Sequence, residues 1–158
     1  MARWMRVFIS YGSEEDFVTA LRVQAVAAAE GLDAIVPPQK TREDSSFTEH
    51  FHNVDVSSSD IVLGIALQGV TPQMEWELRR ARLDQNRLIL RSPGVGASLD
   101  ELYPGNTIAL GDAGWIETET RISRAVGSTS LDPEAKRALL GMVLMAAGLH
   151  LMAEPKGA

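Results

Sequence analysis

Glu77 and the end of the first apolar run are the residues of this chain whose types and spacing point most directly to chemistry. Glu77 lies in Thr71-Pro72-Gln73-Met74-Glu75-Trp76-Glu77-Leu78-Arg79-Arg80-Ala81, a segment with helical spacing. Met74, Leu78, Ala81 and Gln85 fall on one stripe of that helix, and Glu77 stands at its edge rather than opposite it. A carboxylate at the edge of a buried stripe, near strand ends, is partly desolvated and can face a crevice, the setting for acid–base or electrostatic work. The spacing alone equally fits a surface glutamate paired with Arg80, a weak and common arrangement. The second feature is Val7-Phe8-Ile9-Ser10-Tyr11-Gly12-Ser13-Glu14-Glu15-Asp16, where a β-favouring run stops at Ser-Tyr-Gly-Ser and an acidic turn follows. In an open α/β sheet, ligands bind beyond the C-terminal ends of the strands. Ser10 to Ser13 therefore stand at the rim of the crevice; for Ser10 and Tyr11 the plain alternative is a strand end with an exposed hydroxyl.

The elements that must hold these residues alternate between strand and helix. Met5–Tyr11 reads as a strand and Glu14–Glu30 as a helix, with Phe17, Leu21, Ala25 and Ala28 on one face. Ser13 suits the N-cap, the acidic residues suit the positive end of the helix dipole, and Gly31 suits the C-terminal stop. Leu32–Val36 is a short strand closed by Pro37-Pro38, and Pro37 to Ser46 a polar loop before a short helix at Phe47–Val56. Asp60–Leu67 is a nearly continuous apolar run, as expected of a strand covered on both faces; Asp60 reads as a turn residue at its start. Thr71 and Pro72 open a helix that runs to about Gln85. Arg87–Arg91 and Thr107–Leu110 read as strands, and Trp115–Val126 and Pro133–Met152 as helices. This alternation predicts a flavodoxin-like α/β fold: a five-stranded parallel sheet of order 2-1-3-4-5 with helices on both faces, as a single domain over residues 1–158. The long helix at about 133–152 is apolar nearly all round, so it must be buried or form an interface.

Composition narrows the classes of function. The net charge of −6, with the densest basic cluster (Arg79, Arg80, Arg82) set among acidic residues, argues against nucleic acid as a partner. The absence of cysteine removes disulfides, zinc–thiolate sites and a Cys nucleophile. His50 and His52, two apart on a helix, point to different faces, so no metal site is expected. The first apolar run is too short for a signal peptide, and the longest apolar stretch, Leu139 to Met152, is broken by Gly141, Gly148 and His150. A cytoplasmic protein without a membrane partner is the expectation. Ser92 to Ala97 is glycine-rich after a strand but lacks a dinucleotide fingerprint, and reads as a plain loop.

In order along the chain stand Phe8-Ile9-Ser10-Tyr11, Glu15-Asp16, the Pro37–Ser46 loop, Ser59-Asp60-Ile61-Val62-Leu63 and Glu77-Leu78-Arg79-Arg80-Ala81. This ordered set resembles the Toll/interleukin-1 receptor (TIR) domain family over roughly residues 5 to 91; the remainder resembles it as compatible secondary structure. The resemblance implies that Glu77 matches the glutamate with which some TIR domains cleave NAD⁺, and that Ser10 and Tyr11 line the site. It implies nicotinamide and ADP-ribose, or a cyclic ADP-ribose isomer, as products, NAD⁺ being a substrate rather than a resident cofactor. In free-standing prokaryotic TIR proteins such a nucleotide signals to a separate effector in antiphage defence, and self-association accompanies activity. Lys40 and Arg42 could pair with a pyrophosphate or simply keep the loop soluble, and Phe47 could stack on a base or anchor the following helix. Trp76 is the aromatic nearest Glu77 in sequence that could contact a nucleotide. Where catalytic relatives carry a tryptophan four residues before the glutamate, this chain has Gln73, and Trp76, about 100° round the helix from Glu77, does not substitute for it. Two other readings share the same residues. One is a TIR-like adaptor that assembles without turnover. The other is a resemblance to nucleoside 2-deoxyribosyltransferases through Gly69-Val70-Thr71 and Glu77, with Arg79 where that family has glycine.

Overall fold

The computed structural model describes residues 5–37, 58–80, 86–103 and 105–153. Five parallel strands, β1 (Arg6–Tyr11), β2 (Asp33–Ile35), β3 (Ile61–Ala66), β4 (Asn86–Arg91) and β5 (Thr107–Ala109), form one sheet of order β2-β1-β3-β4-β5. The helices are α1 (Glu14–Ala29), α2 (Pro72–Arg80), α3 (Ser98–Leu102), α4 (Trp115–Gly127) and α5 (Pro133–Ala153). The fold is the flavodoxin-like α/β sheet that the sequence predicts. The short α3 is an addition to that expectation, because five residues with one buried side chain, Leu99, show no helical period. The helix expected at Phe47–Val56, and residues 81–85 of the helix expected to run to about Gln85, lie outside the described residues.

Alternate residues of each strand feed two cores. Val7, Ile9 and Tyr11 of β1, with Ile61, Leu63 and Ile65 of β3 and Leu88 and Leu90 of β4, pack beneath α1, α4 and α5. Phe8, Val62, Ala66 and Ile89 point the other way, onto Met74 and Leu78 of α2 and Leu99 of α3. This is the period of two built into every strand, used here on both faces. The long helix α5 packs against both α1 and α4, burying Leu139, Met142, Val143, Ala146 and Ala147 toward the sheet. Its opposite side leaves Met145, Leu149 and Met152 exposed, so the apolar surround read from its sequence divides into a buried and an exposed half.

The inward face of α1 differs from the one expected. Asp16, Ala20, Val23 and Ala27 are buried, whereas Leu21 is 44% exposed and Ala25 and Ala28 face outward. From Phe17 to Ala29 every residue but Thr19, Arg22 and Gln24 is apolar, so apolar residues lie all round the helix and their spacing cannot define a face. The rotation of the helix is set by its polar start. Ser13 and Asp16 form a reciprocal capping box, and Asp16 turns inward to bond the chain leaving β3.

Glycine is required where β1 and β3 end. A Cβ on Gly12 would lie 1.7 Å from the Gly69 carbonyl oxygen, and the Gly12 amide donates to Ile65 O at 3.0 Å. The Gly12→Ala variant is expected to lose about 1–3 kcal/mol or more, the cost of overpacking a site with only backbone opposite. Gly94 provides the control, since a methyl group there would have no neighbouring atom within 4 Å. Its alanine variant should stay within about 0.5 kcal/mol of the parent. Denaturant unfolding of both variants checks the contrast.

Candidate functional site

The strand order reverses between β1 and β3, and such switch points are where open α/β sheets take their ligands. Ser10, one residue before the end of β1, pairs in register with Gly64 of β3 and points to the α2 side of the sheet. Gly64 has a steric reason to lack a side chain: a Cβ there would meet Met74 Cε at 3.1 Å and Ile89 Cγ1 at 3.2 Å. Glycine therefore lets α2 approach the sheet beside Ser10. Thr71 caps α2 by accepting from the Met74 amide at 3.3 Å, and Pro72 occupies the first helical position.

This placement brings Glu77 onto Ser10. The Ser10 hydroxyl donates to Glu77 Oε1 at 2.8 Å, across 67 residues of sequence. Both side chains are buried, Ser10 at 0% and Glu77 at 1% exposure. Glu77 thus belongs to the inward stripe of α2 with Met74 and Leu78, rather than to its edge as the sequence spacing suggests. A buried carboxyl needs hydrogen-bond donors, since desolvation without them costs several kcal/mol, of order 1–3 in mutational series. The serine at the end of β1 supplies one.

Tyr11 follows Ser10 but projects to the opposite side of the sheet. Its hydroxyl donates to Pro37 O at 2.8 Å, and its ring meets Phe17 at 5.0 Å between centroids. It therefore ties the end of β1 to the chain leaving β2. Burial, and then the negative charge of Glu77, push the Tyr11 phenol up to about 12. Trp76 is half-buried, with the Arg80 guanidinium 4.9 Å above its ring. Gln73, one turn before Glu77 on the same flank, is also half-buried. Lys40, Arg42 and Phe47, and the histidines at 50 and 52, lie outside the described residues. A cavity of about 530 Å³ opens far from Glu77, near Met5, Leu32 and Asp60 at the opposite end of the strands.

One functional neighbour reads from the sequence only as a helix-start acid. Asp16 has no exposed surface, and its carboxylate accepts from the amides of Ser13 at 3.3 Å, Leu67 at 3.3 Å and Gln68 at 3.1 Å. The nearby Gly69 amide also favours the charged form. Burial raises the Asp16 carboxyl above its ordinary range, and these N–H groups pull it partly back. The signal that could have found it is its position at N3 of a serine-capped helix directly after a strand, which places a carboxylate at the sheet's C-terminal edge. On the β4 side, Ser92 donates to Leu67 O at 2.7 Å, so the first residues of the loop expected at 92–97 help hold the same turn.

No protein-family model and no curated protein sequence matches this chain.

The Tyr11 environment makes a testable demand on stability at high pH. The folded state holds the phenolic proton to about pH 12, whereas the unfolded chain releases it near its ordinary value of 10. Between those limits the folded state binds more protons, so its stability falls as pH rises through the window. The Tyr11→Phe variant should show a shallower loss of stability from pH 10 to 12, measured by urea unfolding; Tyr103, also raised by burial, retains its share.

Proposed function

We propose that this protein is a TIR-type enzyme that cleaves the nicotinamide–ribose bond of NAD⁺, with Glu77 as the reacting carboxylate. The observation that carries the reading is the 2.8 Å bond from Ser10 to Glu77, two residues of separate motifs meeting at the switch point between β1 and β3. The ordered resemblance of residues 5 to 91 to TIR domains supports the same assignment.

In this reading the C–N bond breaks with its electron pair leaving on nicotinamide, which departs as a neutral base. No strong general acid is required. The positive charge that develops on the ribose is stabilised by Glu77, whose orientation is fixed by the Ser10 hydroxyl. Attack by water then yields ADP-ribose and a proton. Attack by a hydroxyl of the same nucleotide yields a cyclic isomer and a proton instead. A low-dielectric setting between α2 and the sheet strengthens the carboxylate's field at the reacting carbon. The nucleotide product is proposed to act as a signal for a separate effector, with self-association favouring activity.

One observation favours the second reading, a TIR-like adaptor without turnover. Glu77 is 1% exposed and bonded to Ser10, as a carboxyl with a purely structural task would be. A deoxyribosyltransferase-like reaction would use Glu77 as a nucleophile on the sugar instead.

Incubation of the concentrated protein with NAD⁺, and separately with a deoxynucleoside plus free base, distinguishes the three. Nicotinamide release is expected, abolished in Glu77→Ala and reduced on the order of tenfold to a hundredfold in Ser10→Ala through loss of carboxylate orientation. Chromatography of the accompanying nucleotide separates hydrolysis from cyclisation. Base exchange on deoxyribose would assign the transferase chemistry. Absence of both reactions, with the protein also clustered on beads, would leave the adaptor.

A further inference from the structure

We propose that Asp16 is a positioning residue for Glu77, acting through the turn that joins β3 to α2. The inference starts from where the Asp16 bonds go. Its carboxylate belongs to α1, yet it takes the amides of Leu67 and Gln68, more than 50 positions away in sequence. Those two residues leave β3. Gly69 and Val70 follow, Thr71 caps α2 and Glu77 stands six positions beyond the cap.

The turn has little other freedom. Gly12 lies against Gly69 with no room for a methyl group, and Ser92 holds the Leu67 carbonyl from the β4 side at 2.7 Å. Asp16 is the side chain that gathers the amides. The carboxylate accepts through both oxygens, Leu67 and Gln68 at Oδ1 and Ser13 and Gln68 at Oδ2, whereas an amide side chain of the same size puts a donor in place of one of them. Asparagine at this position would set an N–H₂ group against backbone donors or surrender one of the bonds. The turn would then shift relative to β1, and with it the helix whose Glu77 meets Ser10.

The plain alternative is that α2 is placed by its own packing, Met74 and Leu78 against Phe8, Val62 and Ile89, and that Asp16 only adds stability. The two differ in coupling. Independent sites contribute additively to stability, whereas sites that share a structural element do not.

The consequence for catalysis rests on the reading of Glu77 as the reacting carboxylate; the consequence for geometry does not. The experiment is a double-mutant cycle on the full chain: melting temperatures of the parent, Ser10→Ala, Asp16→Asn and the double variant. Thr118→Ala serves as the comparison, since Thr118 is buried in α4 and bonds Gly114 O within its own helix start. Thr118→Ala should lower the melting temperature and add in full to Ser10→Ala. With Asp16→Asn, the loss in the double variant should be clearly smaller than the sum of the two single losses, because Asp16→Asn already disturbs the Ser10–Glu77 bond. Full additivity would overturn the proposal. On NAD⁺, Asp16→Asn should lower kcat by about 100-fold with a far smaller change in KM, as displacement of a reacting group does, while Thr118→Ala leaves both unchanged at a temperature well below its melting point. Equal losses of kcat in the two variants would also overturn it. If the parent protein does not cleave NAD⁺, the functional reading fails and the thermal cycle alone still decides the role of Asp16. Should Asp16→Asn not fold, Asp16→Glu, which keeps the charge and moves it by one methylene, carries the same outcomes.

Discussion

Two backbones meet at the C-terminal edge of the sheet without a side chain between them. Gly12, leaving β1, and Gly69, leaving β3, are so close that even a methyl group on the first would strike the carbonyl of the second. Peptide groups brought this close lose part of their access to water, and their hydrogen bonds are supplied from nearby. Asp16 meets that need for the amides of Leu67 and Gln68, and Ser92 meets it for the Leu67 carbonyl. The start of α1, the end of β3 and the approach to α2 are thereby one hydrogen-bonded unit rather than three separate elements.

The geometry of the candidate site depends on that unit and on the twofold alternation of β1. Ser10 and Tyr11 are adjacent, yet the first turns to α2 and the second to α1. Ser10 supplies a donor to the carboxyl of Glu77, while Tyr11 fastens the residue that closes β2. Glycine at position 64 completes the arrangement by removing the side chain that would hold α2 away from the sheet. Each of these residues acts through distance. One lets two chains approach, another spans the resulting gap, and a third fixes an oxygen atom.

The architecture is legible in the sequence because it rests on long apolar runs. Ile61 to Ala66 is buried at every position, and an unbroken run of that length between polar turns reads as a parallel central strand. Glu77 and Ser10 can be selected from their positions at a helix and a strand end, but not their contact, which requires the register of α2 on β1. The full burial of Glu77 escapes the spacing for the same reason, since a stripe through Met74 and Leu78 does not say which way the helix faces. On α1 the apolar residues are too many rather than too few, and spacing alone cannot separate Ala20 and Ala27 from Ala25 and Ala28. A buried aspartate decides that rotation, and its partners are backbone amides that no side-chain pattern announces.

Among the described residues the two cores differ in size, which bears on how this protein can change. The face toward α1, α4 and α5 is built from many interlocking aliphatic side chains, and one such residue can be exchanged while its neighbours take up the difference. The face toward α2 and α3 shows, among the described residues, fewer buried ones: Phe8, Val62, Ala66, Met74, Leu78, Ile89 and Leu99. Ser10 and Glu77 adjoin the smaller one. An exchange beneath α2 is therefore felt directly at Ser10 and Glu77, whereas one beneath α1, α4 or α5 must pass through the sheet before it reaches them.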